Sequence, residues 1–591
     1  MTLEQGLLFG LLAVLFGLFI WGRIRYDLVA LAALVAAVVL GVVDADAAFA
    51  GFGHPAVILV AMVLVISQGL IRTGAIDAIA RRIASAAASP ARHIAIIGTL
   101  GAALSAFMNN IAALAILMPV DLQAAARAKR SAATSLMPLS FATILGGMVT
   151  LIGTPPNIIV AEYRASAVGT PFLMFDFTPV GLICAVAGVV FVALVGWRLL
   201  PAERLKQDAS AELRAIHGFV AEVVVDAESP IVGKKVGDLD DDAEKSEVTI
   251  IGLVRNGRRL PGGARRAEIR AGDLLVVDAS AGAIDGFVGA LRLKFVGEDK
   301  HREEAGDDLA LREVVVMPDS RIEGRSADTA RLLTYWGVTL LGVSRRGKRF
   351  RERVRSIPLQ AGDVLLLLGP AERIDDVAGR LGTLPLAAGE ADVTRYGRAA
   401  PAVAIFAAAI ALASFGLVAL SVALAAVIVL YAATDILPPR QLYEAIDWPI
   451  IVLLGALIPI GGALHATGGT VLIADGLLMV AGGLPAAAVL VVLMVVVMTL
   501  SDILNNAATA VLAAPIAVEI AVRLDVSPDP FLMAVAIGAS CAFLTPIGHQ
   551  NNTLILGPGG YTFGDYWRMG LPLEAIIVLV GTPAILFFWP L

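Results

Sequence analysis

Long apolar stretches dominate this chain, and they fall into two blocks on either side of one charged segment. The 591 residues are 58% hydrophobic and 16% charged, whereas a soluble protein carries roughly a quarter charged residues. Residues 201–397 hold 30 of the 45 basic and 33 of the 51 acidic residues. This distribution excludes a single soluble globule, a disordered chain and a disulfide-rich scaffold. It predicts a polytopic membrane protein with one soluble insert.

Two of the apolar segments, 94–120 and 485–520, are interrupted near the centre by paired asparagines, in SAFMNN and SDILNN. An unsatisfied amide in a lipid-facing helix costs several kcal/mol. Both segments are therefore predicted to be re-entrant hairpins whose tips lie in protein or water. Segments 133–160 and 530–552 carry glycine and proline in their middle, which predicts two broken helices.

The two apolar blocks repeat each other. Ser105, Asn109, Asn110 and Pro119 recur as Ser501, Asn505, Asn506 and Pro515, and Thr150, Gly153 and Asn157 recur as Thr545, Gly548 and Asn552, all at an offset of 395 or 396. Each block has an odd number of predicted crossings, so the two blocks enter the membrane from opposite sides. We predict two inverted repeats, 1–200 and 398–591, which is the architecture of many secondary transporters.

Basic residues in the short loops concentrate on one side of the predicted membrane part, which orients the chain. The insert is then cytoplasmic and both termini lie outside, in a bacterial inner membrane. The chain has no basic surface of the kind that binds nucleic acid, and we expect no nucleic-acid partner.

The insert also repeats internally. VRNGRR at 254–259 matches SRRGKR at 344–349, and AGDLLVV at 271–277 matches AGDVLLL at 361–367. This pattern predicts two small α+β modules, 201–300 and 301–397, and each resembles the TrkA C-terminal domain. The resemblance implies either a dimerisation platform or a sensor of a small regulatory ligand, such as a nucleotide or second messenger.

The four interruptions of the apolar segments carry the chemistry that an ion site needs. They read SAFMNNIAA, TLIGTPPN, SDILNNAA and TPIGHQNN. A helix broken inside the membrane offers carbonyl oxygens to a cation at one broken end and N–H groups to an anion at the other. The sequence therefore predicts a central site for a cation and an anion.

With these paired tips and breaks, the chain resembles the divalent anion/sodium symporter family. The resemblance implies Na⁺ as the coupling ion, a divalent anion as the substrate, a homodimer in the lipid bilayer and an elevator-type alternating-access mechanism. Carried over by position, it implies sodium-binding residues Ser105, Asn109, Asn110, Gly153, Ser501, Leu504, Asn506 and Gly548. It likewise implies substrate-binding residues Asn110, Ile111, Thr154, Pro155, Asn157, Asn505, Asn506, Ala507, Thr545 and Pro546.

The chain departs from the family at both hairpin tips. The family carries Ser-Asn-Thr there, whereas this chain has Asn109-Asn110-Ile111 and Asn505-Asn506-Ala507. Each missing hydroxyl removes a potential donor to an anion, about 1 kcal/mol. A di- or tricarboxylate held at both ends becomes less favoured than a compact tetrahedral anion such as sulfate.

Several individual residues keep two interpretations. Asp502, whose first-half counterpart is Ala106, is either a coupling carboxylate for Na⁺ or H⁺ or an acid that caps a helix. His549 is a second coupling candidate, or an interfacial histidine. Asn157, Asn551 and Asn552 either line the site or only cap broken helices, and Asp121 is expected to be solvated.

Other functions on the same sequence are an arsenite or Na⁺/H⁺ exchange permease and a membrane nutrient sensor. An enzyme is not predicted, because the sequence has no nucleophile–base pair, metal cluster or phosphate-binding loop.

Overall fold

A computed structural model describes most of the chain. The described residues are 2–21, 24–73, 89–128, 130–201, 219–246, 248–255, 258–259, 267–279, 281–296, 309–318, 320–345, 354–385, 399–481 and 483–591. They are mostly helical, with strands confined to residues 219–385. This confirms a mainly helical chain with a small strand-containing region.

Eight helices make up the described part of the first apolar block. They are α1 (Leu3–Trp21), α2 (Tyr26–Val39), α3 (Pro55–Arg72), α4 (Pro90–Ser105), α5 (Asn110–Arg127), α6 (Ala133–Gly147), α7 (Pro155–Val168) and α8 (Thr178–Leu194). Proline opens α3, α4 and α7, where its missing N–H breaks no helical hydrogen bond. His54 caps the start of α3, because its Nδ1 atom accepts a hydrogen bond from the Ala56 N–H at 3.3 Å.

The interrupted segments of this block form a hairpin and a broken helix. Helices α4 and α5 form the hairpin and are joined by residues 106–109, while α6 and α7 are separated by residues 148–154. Close packing of α4 on α6 depends on glycine, because a Cβ on Gly146 would lie 2.2 Å from the Ala102 carbonyl oxygen.

The insert forms one sheet within its described residues. Its strands are β1 (Phe219–Val225), β2 (Thr249–Arg255), β3 (Arg258–Arg259), β4 (Leu274–Ala279), β5 (Leu293–Phe295), β6 (Leu309–Val316), β7 (Thr339–Ser344), β8 (Val364–Pro370) and β9 (Thr383–Pro385). Its helices are α9 (Asp240–Lys245), α10 (Ala281–Ala290), α11 (Leu332–Tyr335) and α12 (Ala371–Leu381). The strand order is β3-β2-β4-β1-β7-β8-β6-β9, and β5 pairs with β1.

The two halves of the insert are joined rather than separate. Strands β1 and β7 pair antiparallel, with Val220 opposite Val343 and Ala221 opposite Gly342. Val254 and Val276 of the first half are buried in the same apolar cluster as Leu340 and Leu365 of the second. The sequence repeat therefore corresponds to two similar halves of one continuous sheet.

The repeated AGD turn has a structural explanation. Asp273 accepts both hydrogen bonds of a bidentate pair from Arg255, at 2.8 and 2.6 Å, and a third from the Arg270 N–H. In the second half, Asp363 is bound in the same way by Arg345, at 2.6 and 2.5 Å. Each pair ties the turn to the end of a neighbouring strand, which accounts for the conserved spacing between the two motifs of each half.

We expect Asp273→Asn to lower the stability of the insert by about 2 kcal/mol, because it leaves the Arg255 guanidinium without its carboxylate. Burial raises the pKa of Asp273, but the hydrogen bonds from Arg255 and the Arg270 N–H outweigh it and hold that pKa below its ordinary value. The stability is therefore present above the ordinary carboxyl pKa and lost as pH falls through the lower, folded-state pKa.

The measurement is the rate of cleavage within the insert of the full-length protein, by trypsin at pH 8 and by pepsin between pH 2 and 4. The Asp273→Asn variant should be cleaved faster than wild type near neutral pH, and the difference should shrink in acid. Asp328→Asn, at an exposed position of the insert, is the matched control. Equal cleavage of the two variants at neutral pH contradicts the prediction.

The second apolar block contributes ten helices among the described residues. They are α13 (Ala399–Ser414), α14 (Leu420–Ala433), α15 (Pro439–Glu444), α16 (Trp448–Ala466), α17 (Gly469–Ala481), α18 (Ala486–Ser501), α19 (Asn506–Arg523), α20 (Pro528–Ser540), α21 (Gln550–Leu556) and α22 (Tyr566–Phe588). Helices α18 and α19 form the second hairpin, and α20 and α21 form the second broken helix. Helix α17 is too short to be predicted as a crossing from the sequence.

Five segments are helical, long and apolar enough to cross a membrane among the residues described. They are Leu3–Trp21, Pro55–Arg72, Trp448–Ala466, Asn506–Arg523 and Phe563–Phe588. Shorter apolar helices accompany them, including α6, α8, α13, α14 and α18. Several helices are shorter than the apolar stretches that contain them, because the residues at the breaks are not helical.

The insert contacts the membrane part at the second broken helix. Gly362, in the turn before β8, packs against Gly557 at the end of α21, where an added Cβ would lie 2.1 Å from the Gly362 carbonyl oxygen. A cavity of about 460 Å³ lies beside this contact. Residues from the insert, the start of α2 and the second hairpin line it together, among them Ser320, Tyr26 and Asn505.

Candidate functional site

The two hairpin tips and the two broken helices meet at one pocket, which we call the tip pocket. Its lining residues are Asn109, Asn110, Ile111, Gly153, Thr154, Pro155, Ile450, Asn505, Asn506, Ala507, Gly548, His549 and Gln550. Twelve of these, all except Ile450, form six matched pairs from the two sequence repeats, at the tips and breaks. The fold thus brings together segments that are about 400 residues apart in the chain.

In the first tip, two consecutive asparagines have different partners. The Asn109 side-chain oxygen accepts the Ile111 N–H at 2.9 Å and so caps the start of α5. The Asn110 side-chain oxygen lies 2.6 Å from the Ser105 hydroxyl, and both residues are buried. Gly147 of α6 makes room for it, because a Cβ there would lie 2.5 Å from Asn110 Oδ1.

The second tip repeats this arrangement. The Asn505 side-chain oxygen accepts the Ala507 N–H at 2.9 Å and caps α19. The Asn506 side-chain oxygen lies 2.9 Å from the Ser501 hydroxyl, which also lies 2.6 Å from the Ala539 carbonyl oxygen. The Ala539 carbonyl is a contact that sequence reasoning missed, because nothing in the sequence indicates which backbone oxygen of α20 faces the tip.

The second tip has more oxygen acceptors than hydrogens to satisfy them. Ser501 Oγ, Asn506 Oδ1 and the Ala539 oxygen converge, yet the serine hydroxyl has one hydrogen and can donate to only one partner. Several hard, uncharged oxygens of this kind are suitable ligands for Na⁺. The residues present therefore fit a sodium ion at this tip, and Ser105 and Asn110 supply the corresponding pair at the first tip.

The glycines of the two breaks lie against backbone. A Cβ on Gly153 would lie 2.4 Å from the Gly147 carbonyl oxygen. A Cβ on Gly548 would lie 2.9 Å from both the Ser501 and the Asp502 carbonyl oxygens. No side chain fits at either position without a shift, so each break is held directly against a tip or helix end.

The side chains of the asparagines that follow the breaks form hydrogen bonds inside the protein and do not line the tip pocket. The Asn157 amide donates to the Thr150 carbonyl at 2.8 Å, and the Asn552 amide donates to the Ala542 carbonyl at 2.9 Å. The Asn551 amide donates to the Thr143 hydroxyl at 2.8 Å and to the Asn110 carbonyl at 3.1 Å. These contacts favour the capping interpretation and add Thr143, which sequence reasoning missed.

The other predicted residues lie behind the pocket. Ser105, Ser501 and Leu504 are buried beneath the tips. The Thr545 hydroxyl donates to the Asp502 carbonyl at 2.6 Å and accepts the Gly548 N–H at 3.0 Å, and the Pro546 carbonyl accepts the Thr553 hydroxyl at 2.6 Å. Thr545, Pro546 and Asn157 are therefore part of the support of the breaks and do not line the tip pocket.

Asp502 is buried and also lies outside the pocket lining. One oxygen of its carboxyl group accepts the Leu544 N–H at 2.8 Å, and the carboxyl lies within hydrogen-bond reach of Glu574 on α22. Glu574 is 8% exposed. Sequence reasoning missed it, although an acid inside the last apolar span was a visible signal.

The expectation that Asp121 is solvated was wrong. Its side chain is completely buried, 2.5 Å from His93 Nε2 and 2.8 Å from the Ser135 hydroxyl. The three residues come from α4, α5 and α6, so this contact joins both arms of the first hairpin to the first broken helix. An acid at the end of an apolar helix looks the same in sequence whether it faces water or a buried partner.

The profile of the citrate transporter family matches residues 16–522 and 473–591. The uncharacterized transporter sll0640 of Synechocystis sp. is 31% identical over 584 residues, covering 96% of this chain and 94% of that protein. Sodium/sulfate cotransporter 1 of Chlamydomonas reinhardtii is 25% identical over 354 residues, covering 55% of this chain and 39% of that protein.

Among solved structures, that of the YdaH transporter of Alcanivorax borkumensis covers 98% of this chain and 99% of its own, with 14% identity and a TM-score of 0.43. The family profile and the relative from Synechocystis each span most of the chain. They confirm the predicted relationship to the anion/sodium symporters and a transporter rather than an enzyme. The chain belongs to the citrate transporter family.

Proposed function

We propose that this protein is a secondary transporter that carries a divalent anion, with sulfate as the preferred substrate, together with Na⁺. The observation that carries the proposal is the orientation of the four tip asparagines. The side-chain oxygens of Asn109 and Asn505 are occupied by backbone N–H groups, and those of Asn110 and Asn506 face serine hydroxyls. The groups left for a ligand in the tip pocket are their NH₂ groups, which only donate hydrogen bonds.

Donor groups of this kind suit an anion. Helices α5, α7 and α19 also begin at the pocket, and the N-terminal end of a helix carries partial positive charge and free N–H groups. No lysine or arginine lines the described pocket, so the charge of a bound dianion is balanced by these dipoles and by the cation. Coupling to a cation follows from this lack of a fixed positive charge.

Sodium is the cation that the oxygen groups behind each tip favour. In both repeats a serine hydroxyl and an asparagine oxygen lie together, and in the second repeat a carbonyl joins them. The relative from Chlamydomonas is named a sodium/sulfate cotransporter. Asn110 and Asn506 then serve both ions, with the side-chain oxygen toward Na⁺ and the NH₂ group toward the anion.

Sulfate is favoured over a dicarboxylate by the composition of the tips. Ile111 and Ala507 occupy the positions at which hydroxyl groups could bind the two ends of an elongated substrate. A compact tetrahedral anion is surrounded by the four amides without those hydroxyls. The family name refers to citrate, so di- and tricarboxylates are the competing substrate class.

The larger mechanism follows the resemblance. The two repeats are inverted, and both termini lie outside the cell. The unit that contains the hairpins moves against a dimeric scaffold during transport. The insert acts as a pair of regulatory modules that resemble the TrkA C-terminal domain. The contact between Gly362 and Gly557 supports regulation, because it joins the insert to the end of a helix that begins at the site. A proton-exchange mechanism through Asp502 is less favoured, since Asp502 does not line the tip pocket.

The test is uptake of labelled sulfate and labelled succinate into proteoliposomes, with an inward Na⁺ gradient or an equal K⁺ gradient. We expect sulfate uptake that requires Na⁺ and is faster than succinate uptake. Faster succinate uptake would retain the symporter and overturn sulfate as the preferred substrate. Binding of either anion without uptake would support the nutrient-sensor alternative instead.

A further inference from the structure

His549 joins the second break to the first tip. Its Nδ1 atom accepts the Asn551 N–H at 3.1 Å and so caps α21. A ring nitrogen that accepts a hydrogen bond carries no hydrogen, so the hydrogen of the neutral imidazole is on Nε2. The cap therefore fixes Nε2–H as a donor, and this atom is the one nearest the first tip.

The Nε2 atom lies 3.2 Å from Nδ2 of Asn110. The Asn110 oxygen faces Ser105, so its NH₂ group is the part that faces the imidazole. Two donors approach each other here, and neither can accept from the other. An oxygen atom of an anion in the tip pocket, which both residues line, accepts from both.

The first repeat has a different residue at the matching position. His549 corresponds to Thr154 at the offset of 395, and Thr154 makes no capping hydrogen bond with its side chain. A threonine hydroxyl rotates and either donates or accepts, whereas the capped imidazole can only donate from Nε2. The two halves of the pocket therefore treat an anion differently.

We propose that His549 Nε2–H and the Asn110 NH₂ group donate to one oxygen of the bound anion, and that His549 makes the pocket selective for oxyanions that carry no hydrogen, such as sulfate over hydrogen phosphate. This rests on the proposed function and adds a specificity-determining residue to it. Sulfate offers an acceptor in every direction. The hydroxyl group of hydrogen phosphate needs an acceptor of its own, and a donor left facing it is unsatisfied.

Two substitutions distinguish the capping role of Nδ1 from the donor role of Nε2. His549→Asn retains an acceptor at the Nδ1 position, and asparagine is a good N-cap residue, but it removes the Nε2–H donor. His549→Gln places an amide donor near the Nε2 position and loses the cap. A selectivity loss caused by general misfolding should be greater in His549→Gln, whereas loss of the donor affects His549→Asn.

The experiment measures uptake of labelled sulfate into proteoliposomes at pH 8, its inhibition by unlabelled phosphate, and sulfate binding to the detergent-solubilised protein. We expect His549→Asn to raise the KM for sulfate about 10-fold and to reduce the sulfate-to-phosphate preference by a similar factor. The apparent Na⁺ affinity and the thermal midpoint should stay near those of wild type. His549→Gln should keep most of the preference despite a lower thermal midpoint.

The inference is overturned if His549→Asn keeps the wild-type sulfate-to-phosphate preference, or if only His549→Gln loses that preference. Either result leaves the proposed function intact. If the wild-type protein neither binds nor carries sulfate or succinate, the proposed function fails and the inference fails with it. If succinate is the substrate, the donor role is tested by the same 10-fold rise in the KM for succinate in His549→Asn.

Discussion

Asn506→Ala should lower the Na⁺-dependent transport efficiency, kcat/KM for the anion, by at least about 100-fold. The side-chain oxygen of Asn506 belongs to the oxygen group with Ser501 and Ala539, and its NH₂ group faces the tip pocket. Losing both contacts removes about 3 kcal/mol of binding, and every 1.4 kcal/mol corresponds to a factor of ten. The measurement is the initial rate of labelled sulfate uptake over a matrix of Na⁺ and sulfate concentrations.

Asn505→Ser is the matched control in the same tip. Serine still caps α19 by accepting the Ala507 N–H, but it lacks the NH₂ group. This variant should raise the sulfate KM severalfold and leave the Na⁺ half-saturation unchanged, whereas Asn506→Ala should raise both. An unchanged Na⁺ half-saturation in Asn506→Ala contradicts its assignment to the sodium site.

Gly146→Ala should destabilise the membrane part by about 3 kcal/mol and strongly reduce the amount of folded protein. The added methyl group would lie 2.2 Å from the Ala102 carbonyl oxygen, so α4 and α6 must separate at the level of the first tip. Backbone cannot rotate away as a flexible side chain does. The measurement is the thermal midpoint of the detergent-solubilised protein, followed by size-exclusion chromatography.

Gly462→Ala, inside α16, is the control for the same change of residue type. The space around its Cβ position is open to at least 4 Å, and alanine is favoured over glycine inside a helix by about 1 kcal/mol. This variant should be as stable as wild type or slightly more stable. A similar loss in both variants would show that helix flexibility, rather than the contact with Ala102, accounts for the effect.

Much of the candidate site could be predicted because its sequence pattern is local. Paired asparagines inside an apolar segment cannot remain in a lipid-facing helix, so the positions of the breaks follow from the cost of unsatisfied amides. The helix ends at Ser105 and Ser501 and the new starts at Asn110 and Asn506 agree with that prediction. The duplication of the pattern supplied the pairing of the two tips.

The directions of individual side chains could not be predicted in the same way. Asn157 and Thr545 repeat the pattern of the breaks as faithfully as Gly153 does, yet their polar groups donate to backbone carbonyls behind the pocket. Asp121 and Glu574 are single acids whose buried partners lie on other segments of the chain. Such contacts depend on how helices pack, which a single sequence does not contain.

The insert shows the same limit at a larger scale. Its internal repeat indicated two similar modules, and the equivalent ion pairs Arg255–Asp273 and Arg345–Asp363 account for the repeated turn. The pairing of β1 with β7 that merges them into one sheet has no signal in either repeat. An edge strand has unpaired backbone N–H and C=O groups, and any other strand with a compatible edge can satisfy them. The sequence therefore does not specify which strand pairs with it.

The glycine-to-glycine contact between the insert and α21 has a thermodynamic consequence. Gly362 and Gly557 approach so closely that a side chain at Gly557 would displace the turn, so a shift of that helix end alters the free energy of the insert's position. Free energies coupled in this way act in both directions. Under the proposed function, a molecule that holds the insert in one position would change the affinity of the pocket for its ions by some factor, and the ions would change the affinity for that molecule by the same factor.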